Sequence, residues 1–174
     1  MRELILGGVR SGKSRLAEQH ARDSGLEVVY LATARHGDDP EMQERIRRHR
    51  AMRPAHWTVV EEPLALAAAL RAQAAPQRCL LVECLTLWLT NLLLAQDPAL
   101  LAREREALLQ TLPQLPGRII LVGNETGLGV VPLGELSRRF VDEAGSLHQR
   151  LAQQCERVIF TVAGLPHFLK GSPQ

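Results

Sequence analysis

The chain has 174 residues, 45% of them hydrophobic and 23% charged, with a formal net charge of +2. That length and balance suit one globular domain able to bury a core, and they exclude a disordered tail or a fibrous protein. Aromatic residues make up only 3%, too few rings for a surface that stacks unpaired nucleobases, and the near-neutral charge also argues against nucleic acid as a partner.

Read in chain order, short Val/Ile/Leu runs alternate with longer stretches of helical period, the pattern of a mostly parallel sheet covered by helices. The first strand, "ELILGG", runs directly into "GGVRSGKS" (7–14), which opens a helix predicted from Lys13 to Ser24. "LEVVYLAT" is the second strand. Asp39 as N-cap and Pro40 in the first turn start a helix predicted to reach Met52, and "HWTVVE" is the third strand. A helix over Pro63–Ala75, the strand "RCLLVEC" and a helix over Leu85–Gln96 follow; the apolar run "LTLWLTNLLLA" within the last is too short to span a bilayer. Asp97 and Pro98 start a helix predicted over Ala99–Leu112, and "RIILVGN", a helix over Glu135–Gln154 and the strand "RVIFTVAG" complete the series. The stretches "AAPQR" and "LPQLPG" are read as loops. With no internal repeat or long linker, residues 1–174 are expected to form a single nucleotide-binding catalytic domain. Cys79, Cys84 and Cys155 are irregularly spaced, so reduced structural thiols are expected. Met1 runs straight into a strand with no signal-peptide pattern, and the chain is read as soluble and cytoplasmic.

The segment 7–14 satisfies G-x-x-x-x-G-K-[ST] between a strand and a helix. Gly7, Gly8, Val9, Arg10, Ser11 and Gly12 can wrap backbone N–H groups around phosphate oxygens, Lys13 can reach the outer phosphates, and Ser14 can ligate Mg²⁺. The fold expected is therefore a P-loop NTPase-like α/β fold of three layers. Glu83, at the end of the apolar run "CLLVE", is the candidate second acid for the metal or its water. A second feature is "IRRHRAMRPAHW" (46–57), with four arginines and two histidines in twelve residues. On a helix Met42, Ile46 and His49 share one stripe, so His49 is expected to face inward. Arg45 and Arg53 lie one turn to either side and would keep its imidazole neutral and nucleophilic. A solvated helix face and a packing histidine are the bland alternatives; a clamp for a polyphosphate explains the arginines together with the P-loop. His56 is read as structural. Asn124 and Glu125, at the carboxyl end of "RIILVGN", stand where open α/β sheets bind ligands, and Glu125 could act as a base toward a substrate hydroxyl.

The combination of "GGVRSGKS", "YLATAR", "RIRRHRAMRPAHWTVVEEP", "LLVECLTLWLTNLL", "VGNETGLGVVP" and "RRFVDEAGSLHQRLAQQCERVIFTVAGLPHFLK", from Leu4 to about Lys170, resembles the bifunctional adenosylcobinamide kinase and adenosylcobinamide-phosphate guanylyltransferase family of cobalamin assembly. The resemblance implies two reactions: phosphorylation of the aminopropanol hydroxyl of adenosylcobinamide by ATP or GTP, then transfer of GMP from GTP to the new phosphate through a guanylylated histidine, which maps onto His49. It further implies nucleotide contacts at Gly7 through Ser14, at Thr33, Ala34 and Arg35, at Arg50, Ala51, Met52 and Arg53, and at Glu61 and Glu83. Mg²⁺ as cofactor and a homotrimer are also implied. Two positions depart from the family pattern: Val141 replaces an arginine, and His148 replaces a common asparagine, so no corrinoid contact is carried over to them. Glu61 and Glu83 are both candidates for recognising guanine. The competing reading is a monofunctional P-loop small-molecule kinase without covalent histidine chemistry.

Overall fold

A computed structural model describes residues 1–35, 43–44, 47 and 54–172. Among the described residues seven strands form one sheet in the order β3-β2-β4-β5-β1-β6-β7. They are β1 (Arg2–Gly7), β2 (Glu27–Ala32), β3 (Thr58–Glu61), β4 (Arg78–Glu83), β5 (Arg118–Asn124), β6 (Arg157–Val162) and β7 (Leu165–Lys170). The first six are parallel and β7 returns antiparallel to β6, so the mostly parallel sheet expected from the sequence is what forms. The unexpected strand is β7. All of its residues except the half-buried Phe168 are exposed, which removes the apolar alternation that marks a strand in sequence.

Among the described residues five complete helices cover the sheet: α1 (Lys13–Asp23), α2 (Leu66–Gln73), α3 (Leu85–Leu94), α4 (Pro98–Thr111) and α5 (Glu135–Gln154). Alternate residues along each central strand feed two separate apolar layers. Leu4, Leu6, Val29, Leu31, Leu80, Val82, Ile119 and Leu121 pack with α2–α5, while Ile5, Val28, Tyr30, Leu81, Ile120 and Val122 pack with Ala17 and Ala21 of α1 and with Trp57. Burial on both faces is why these strands read as unbroken apolar runs. Asp97 caps α4 as expected, accepting from the N–H groups of Ala99 and Leu100. The segment "LPQ" forms a short 3₁₀ turn rather than loop, and "HWTVVE" yields a shorter strand because Trp57 closes a turn onto the Pro54 carbonyl. Most of the helix anticipated from Pro40 to Met52, with Asp39 before it, lies outside the described residues; Gln43, Glu44 and Arg47 are helical, and Arg47 is exposed and ion-paired with Glu44. The three cysteines are free and buried, and burial pushes their thiols up to about 11, 11 and 12, as structural thiols require.

The parallel register sends every strand start to one edge of the sheet and every strand end to the other. At the starting edge Glu3 is wholly buried. It meets His20 Nδ1 at 2.5 Å, Arg118 Nη2 at 3.0 Å and Arg157 Nη1 at 3.8 Å. Burial alone would raise the carboxyl's pKa, but the bonds and charges of His20 and Arg118 override it and hold it below the usual glutamate value. Removing one member strands the others in a dry site, so Glu3→Ala is expected to cost about 3 kcal/mol of unfolding free energy by urea titration at pH 7. A lowered folded-state pKa means the wild type carries this contribution above the ordinary glutamate range and loses it as pH falls through the depressed value. The gap between wild type and variant should therefore shrink under acid conditions, and a pH-independent gap would contradict the assignment.

Candidate active site

At the opposite edge β1 ends on Gly7, with Asn124 of β5 and Thr161 of β6 as its lateral partners. The loop Gly8–Gly12 follows and delivers the chain into α1 at Lys13. Two glycines make the turn possible. A Cβ on Gly7 would sit 2.5 Å from both Ser11 Oγ and the Thr161 carbonyl oxygen, and Gly12 has φ 95° with Gly164 Cα 3.0 Å from where its Cβ would lie. The Gly164 N–H donates to the Ser11 carbonyl at 2.8 Å, so the turn between β6 and β7 braces the loop from behind. The sequence motif did not reveal this brace, or Thr161; the single glycine between β6 and β7 was its only trace.

The start of α1 has no side-chain cap, which leaves its first N–H groups to an external acceptor, and the helix dipole makes an anion the favoured one. Lys13 is buried, with Nζ donating to the Gly8 carbonyl at 3.2 Å, so its ammonium folds back over the loop it follows. Ser14 Oγ donates to Glu83 Oε1 at 2.9 Å. The structure thus joins the two residues singled out for the metal. A hydroxyl beside a carboxylate is a hard oxygen pair, the kind of protein donor set that Mg²⁺ accepts when phosphates and waters complete its shell. Val9 and Arg10 are exposed at the loop tip.

Glu83 is held in place from β2. The Thr33 hydroxyl donates to the Cys84 carbonyl at 2.7 Å and accepts from the Cys84 N–H at 2.9 Å, while the Thr33 N–H donates to the Glu83 carbonyl at 3.2 Å. Asn91 of α3 closes the clamp by donating to the Thr33 carbonyl. Ala34 is half-buried and Arg35 exposed just beyond. Glu61 ends β3, exposed, and Ala32 is the register partner of both Glu61 and Glu83; the three strand ends are aligned.

On the other flank the Glu125 N–H donates to the Gly7 carbonyl at 3.1 Å, and its Oε1 accepts from the Gly127 N–H at 2.6 Å. Asn124 donates its N–H to the Thr86 hydroxyl, and its Oδ1 is buried without a hydrogen-bond partner among the described residues. An apolar cleft of about 350 Å³ begins at Thr126 and runs between α3 and α5, with Leu94, Leu136 and Phe140 in its wall; Val141 lines it too. Of the sequence-predicted residues, Gly7 through Ser14, Glu83, Asn124 and Glu125 are thereby gathered at one sheet edge. His49, Arg50, Ala51, Met52 and Arg53 lie outside the described residues. His56 is exposed in the turn before β3.

A parallel sheet whose first strand enters a glycine loop, a lysine and a helix, with a carboxylate on the helix serine, defines a P-loop nucleoside-triphosphate-binding protein. Similarity to solved structures agrees on the fold. A RadB recombinase matches over 91% of this chain and 73% of its own with TM-score 0.53 and 18% identity, and a Pyrococcus horikoshii OT3 protein matches over 99% and 87% with TM-score 0.56 and 11% identity. The model of the family described as cobinamide kinase / cobinamide phosphate guanyltransferase matches residues 3–169, and the chain belongs to that family. The bifunctional adenosylcobalamin biosynthesis protein CobP of Pseudomonas aeruginosa is 72% identical over 173 residues, 99% of each chain. The corresponding CobU protein of Salmonella typhimurium is 40% identical over 175 residues, 93% of this chain and 96% of its own.

The close approach at Gly7 generates a test. Gly7→Ala is expected to cost about 2 kcal/mol of stability, because β6 or Ser11 must move. It should also weaken nucleotide binding by about tenfold, because the N–H groups of the loop move with them. Thermal melting and titration with a fluorescent nucleotide would check both, and a variant with wild-type affinity would show that the spacing is not needed.

Proposed function

We propose that residues 1–174 form one catalytic domain that carries out both reactions of its family on one phosphate cradle: ATP- or GTP-dependent phosphorylation of adenosylcobinamide, then transfer of GMP from GTP to adenosylcobinamide-phosphate, giving adenosylcobinamide-GDP and pyrophosphate. The observation that carries the reading is the convergence of Lys13, the Ser14–Glu83 pair and Glu125 on the end of β1. Phosphorylation breaks the bond between the γ-phosphorus and its bridging oxygen, which leaves charge on the β-phosphate. Guanylyl transfer breaks the bond between the α-phosphorus and its bridging oxygen, and that leaving oxygen also belongs to the β-phosphate. Donors fixed around that one phosphate therefore serve both transition states. The nucleophile presented selects the reaction.

For phosphorylation, Glu125 takes the proton of the acceptor hydroxyl as its oxygen attacks the γ-phosphorus. The apolar cleft beyond Thr126 is the surface we assign to the corrinoid. For guanylyl transfer, a nitrogen of the neutral His49 imidazole attacks the α-phosphorus and pyrophosphate leaves. The phosphate of the corrinoid then attacks the same phosphorus and the N–P bond breaks, which splits one hard displacement into two easier ones. Ser14 and Glu83 would hold Mg²⁺, which when bound supplies positive charge against the β- and γ-phosphate oxygens. The arginines Arg50 and Arg53, with Ala51 and Met52 between them, are read as the further triphosphate contacts, and Thr33, Ala34 and Arg35 as the contacts from the end of β2. With Glu83 assigned to the metal, Glu61 at the exposed end of β3 is read as the carboxylate that accepts from guanine N1–H and N2–H.

The protein is read as acting in the cytoplasm; among the described residues no helix is long and apolar enough to cross a membrane. A homotrimer is proposed as its assembly, for which Leu128, Val130, Val131 and Leu133 offer exposed apolar surface between β5 and α5.

Incubation with labelled GTP and Mg²⁺ should give a protein-bound GMP that is lost in acid, and His49→Ala should take up no label; uptake by that variant would leave a monofunctional kinase as the better reading. Glu61→Gln should lower the preference for GTP over ATP in adduct formation by about tenfold or more, since adenine has no N1–H for a carboxylate to accept. Competition between the two nucleotides measures it, and an unchanged ratio would remove Glu61 from guanine recognition.

A further inference from the structure

Glu125 has a buried neighbour that neither reaction has so far used. His148 stands on α5, 8% exposed. Its Nδ1 lies 3.6 Å from Glu125 Oε2 and has no hydrogen-bond partner among the described residues. The ring fills the space over Gly123 of β5, where a Cβ would come within 3.1 Å of Nε2. The imidazole is thus confined by the sheet on one side while Nδ1 is directed at the carboxylate. A buried ring nitrogen with nothing to bond is a costly feature that packing alone does not call for.

We infer that His148 is a positioning residue for the phosphorylation step, whose Nδ1–H holds Glu125 Oε2 so that the carboxylate meets the acceptor hydroxyl in one orientation. The inference rests on Glu125 being the base. A carboxylate opposite Nδ1 selects the tautomer with the proton on that nitrogen. The present separation is too long for a hydrogen bond, and a shift of about half an ångström, of the kind that catalytic contacts undergo when substrate binds, would close it. The other oxygen, Oε1, is already held by the Gly127 N–H, and the backbone N–H of Glu125 is fixed to the Gly7 carbonyl of the cradle. With His148 engaged, both carboxylate oxygens are oriented and each keeps a lone pair for substrate. Burial pushes the His148 pKa below the usual histidine value, against the pull of Glu125. A neutral donor orients the base without drawing off the basicity that an imidazolium would remove.

In the step itself the hydroxyl proton passes to the Glu125 carboxylate while the new bond forms between the acceptor oxygen and the γ-phosphorus. The bond from that phosphorus to the β,γ-bridging oxygen breaks, and its electron pair leaves with the nucleoside diphosphate. His148 forms no bond to the substrate and gains no net proton.

The test is steady-state phosphorylation of adenosylcobinamide by the full chain and four variants. His148→Leu should lower kcat by about tenfold or more while leaving the nucleotide KM within about twofold. His148→Asn places an amide N–H where Nδ1 stood and should recover kcat to within about threefold of wild type. His148→Gln keeps polar bulk but moves the amide off that position; it should be as slow as the Leu variant, and it carries the test if the Leu variant does not fold. Full kcat in the Leu or Gln variant, or an Asn variant as slow as either, would overturn the role given to His148 while Glu125→Gln remained inactive. Full kcat in Glu125→Gln would remove the base itself, and with it this inference.

Discussion

Gly7 has neighbours closer than any side chain would allow, and the geometry at the carboxyl edge of the sheet follows from that contact. Ser11 Oγ and the Thr161 carbonyl occupy the space where a Cβ would be, so the loop after β1 folds tightly against β6. The same residue's carbonyl accepts the N–H of Glu125, which ties the end of β5 to the loop. Lys13 and Ser14 follow on a helix whose first turn has no cap of its own. Removing one side chain therefore fixes the phosphate cradle, the proposed base and their relative positions.

The parallel sheet supplies the rest of the organisation. Strands that all run one way bring their starts to one edge and their ends to the other. Polar residues at strand ends then meet one another across wide gaps in sequence, while the apolar middles stack into the two layers around β1. At the starting edge this produces the Glu3 cluster with Arg118, Arg157 and His20, which joins the beginnings of β1, β5 and β6 to α1. At the finishing edge it produces Ser14 with Glu83 and Glu125 beside Gly7. The first set satisfies buried charge with charge. The second keeps Asn124 Oδ1 and His148 Nδ1 without a hydrogen-bond partner among the described residues, beside the loop proposed to bind phosphate.

The legible parts of the fold were those with a local cause. β5 matches its predicted run residue for residue and β4 ends one residue short of its own, because buried strands must be apolar throughout. α5 matches its predicted bounds, Glu135–Gln154. β7 was not legible: apart from Phe168 its residues are exposed, Pro166 interrupts the pattern, and its pairing with β6 comes from the turn at Gly164. Thr33 was legible as a residue near the site, but not as the clamp that bonds the Cys84 backbone and holds Glu83.

By itself the sequence determined the strand, the glycine loop, the lysine and serine that follow it, and the membership of a family whose motifs run nearly the length of the chain. These are local or contiguous features, set by conformations that only certain residues adopt and by chemistry that only certain side chains supply. The tertiary structure alone decided which carboxylate meets which partner. Ser14 and Glu83 are 69 residues apart, and His148 and Glu125 sit on different elements. Their meeting depends on strand order and register, which place β4 and β5 between β2 and β1, and no periodicity or spacing along the chain encodes that order.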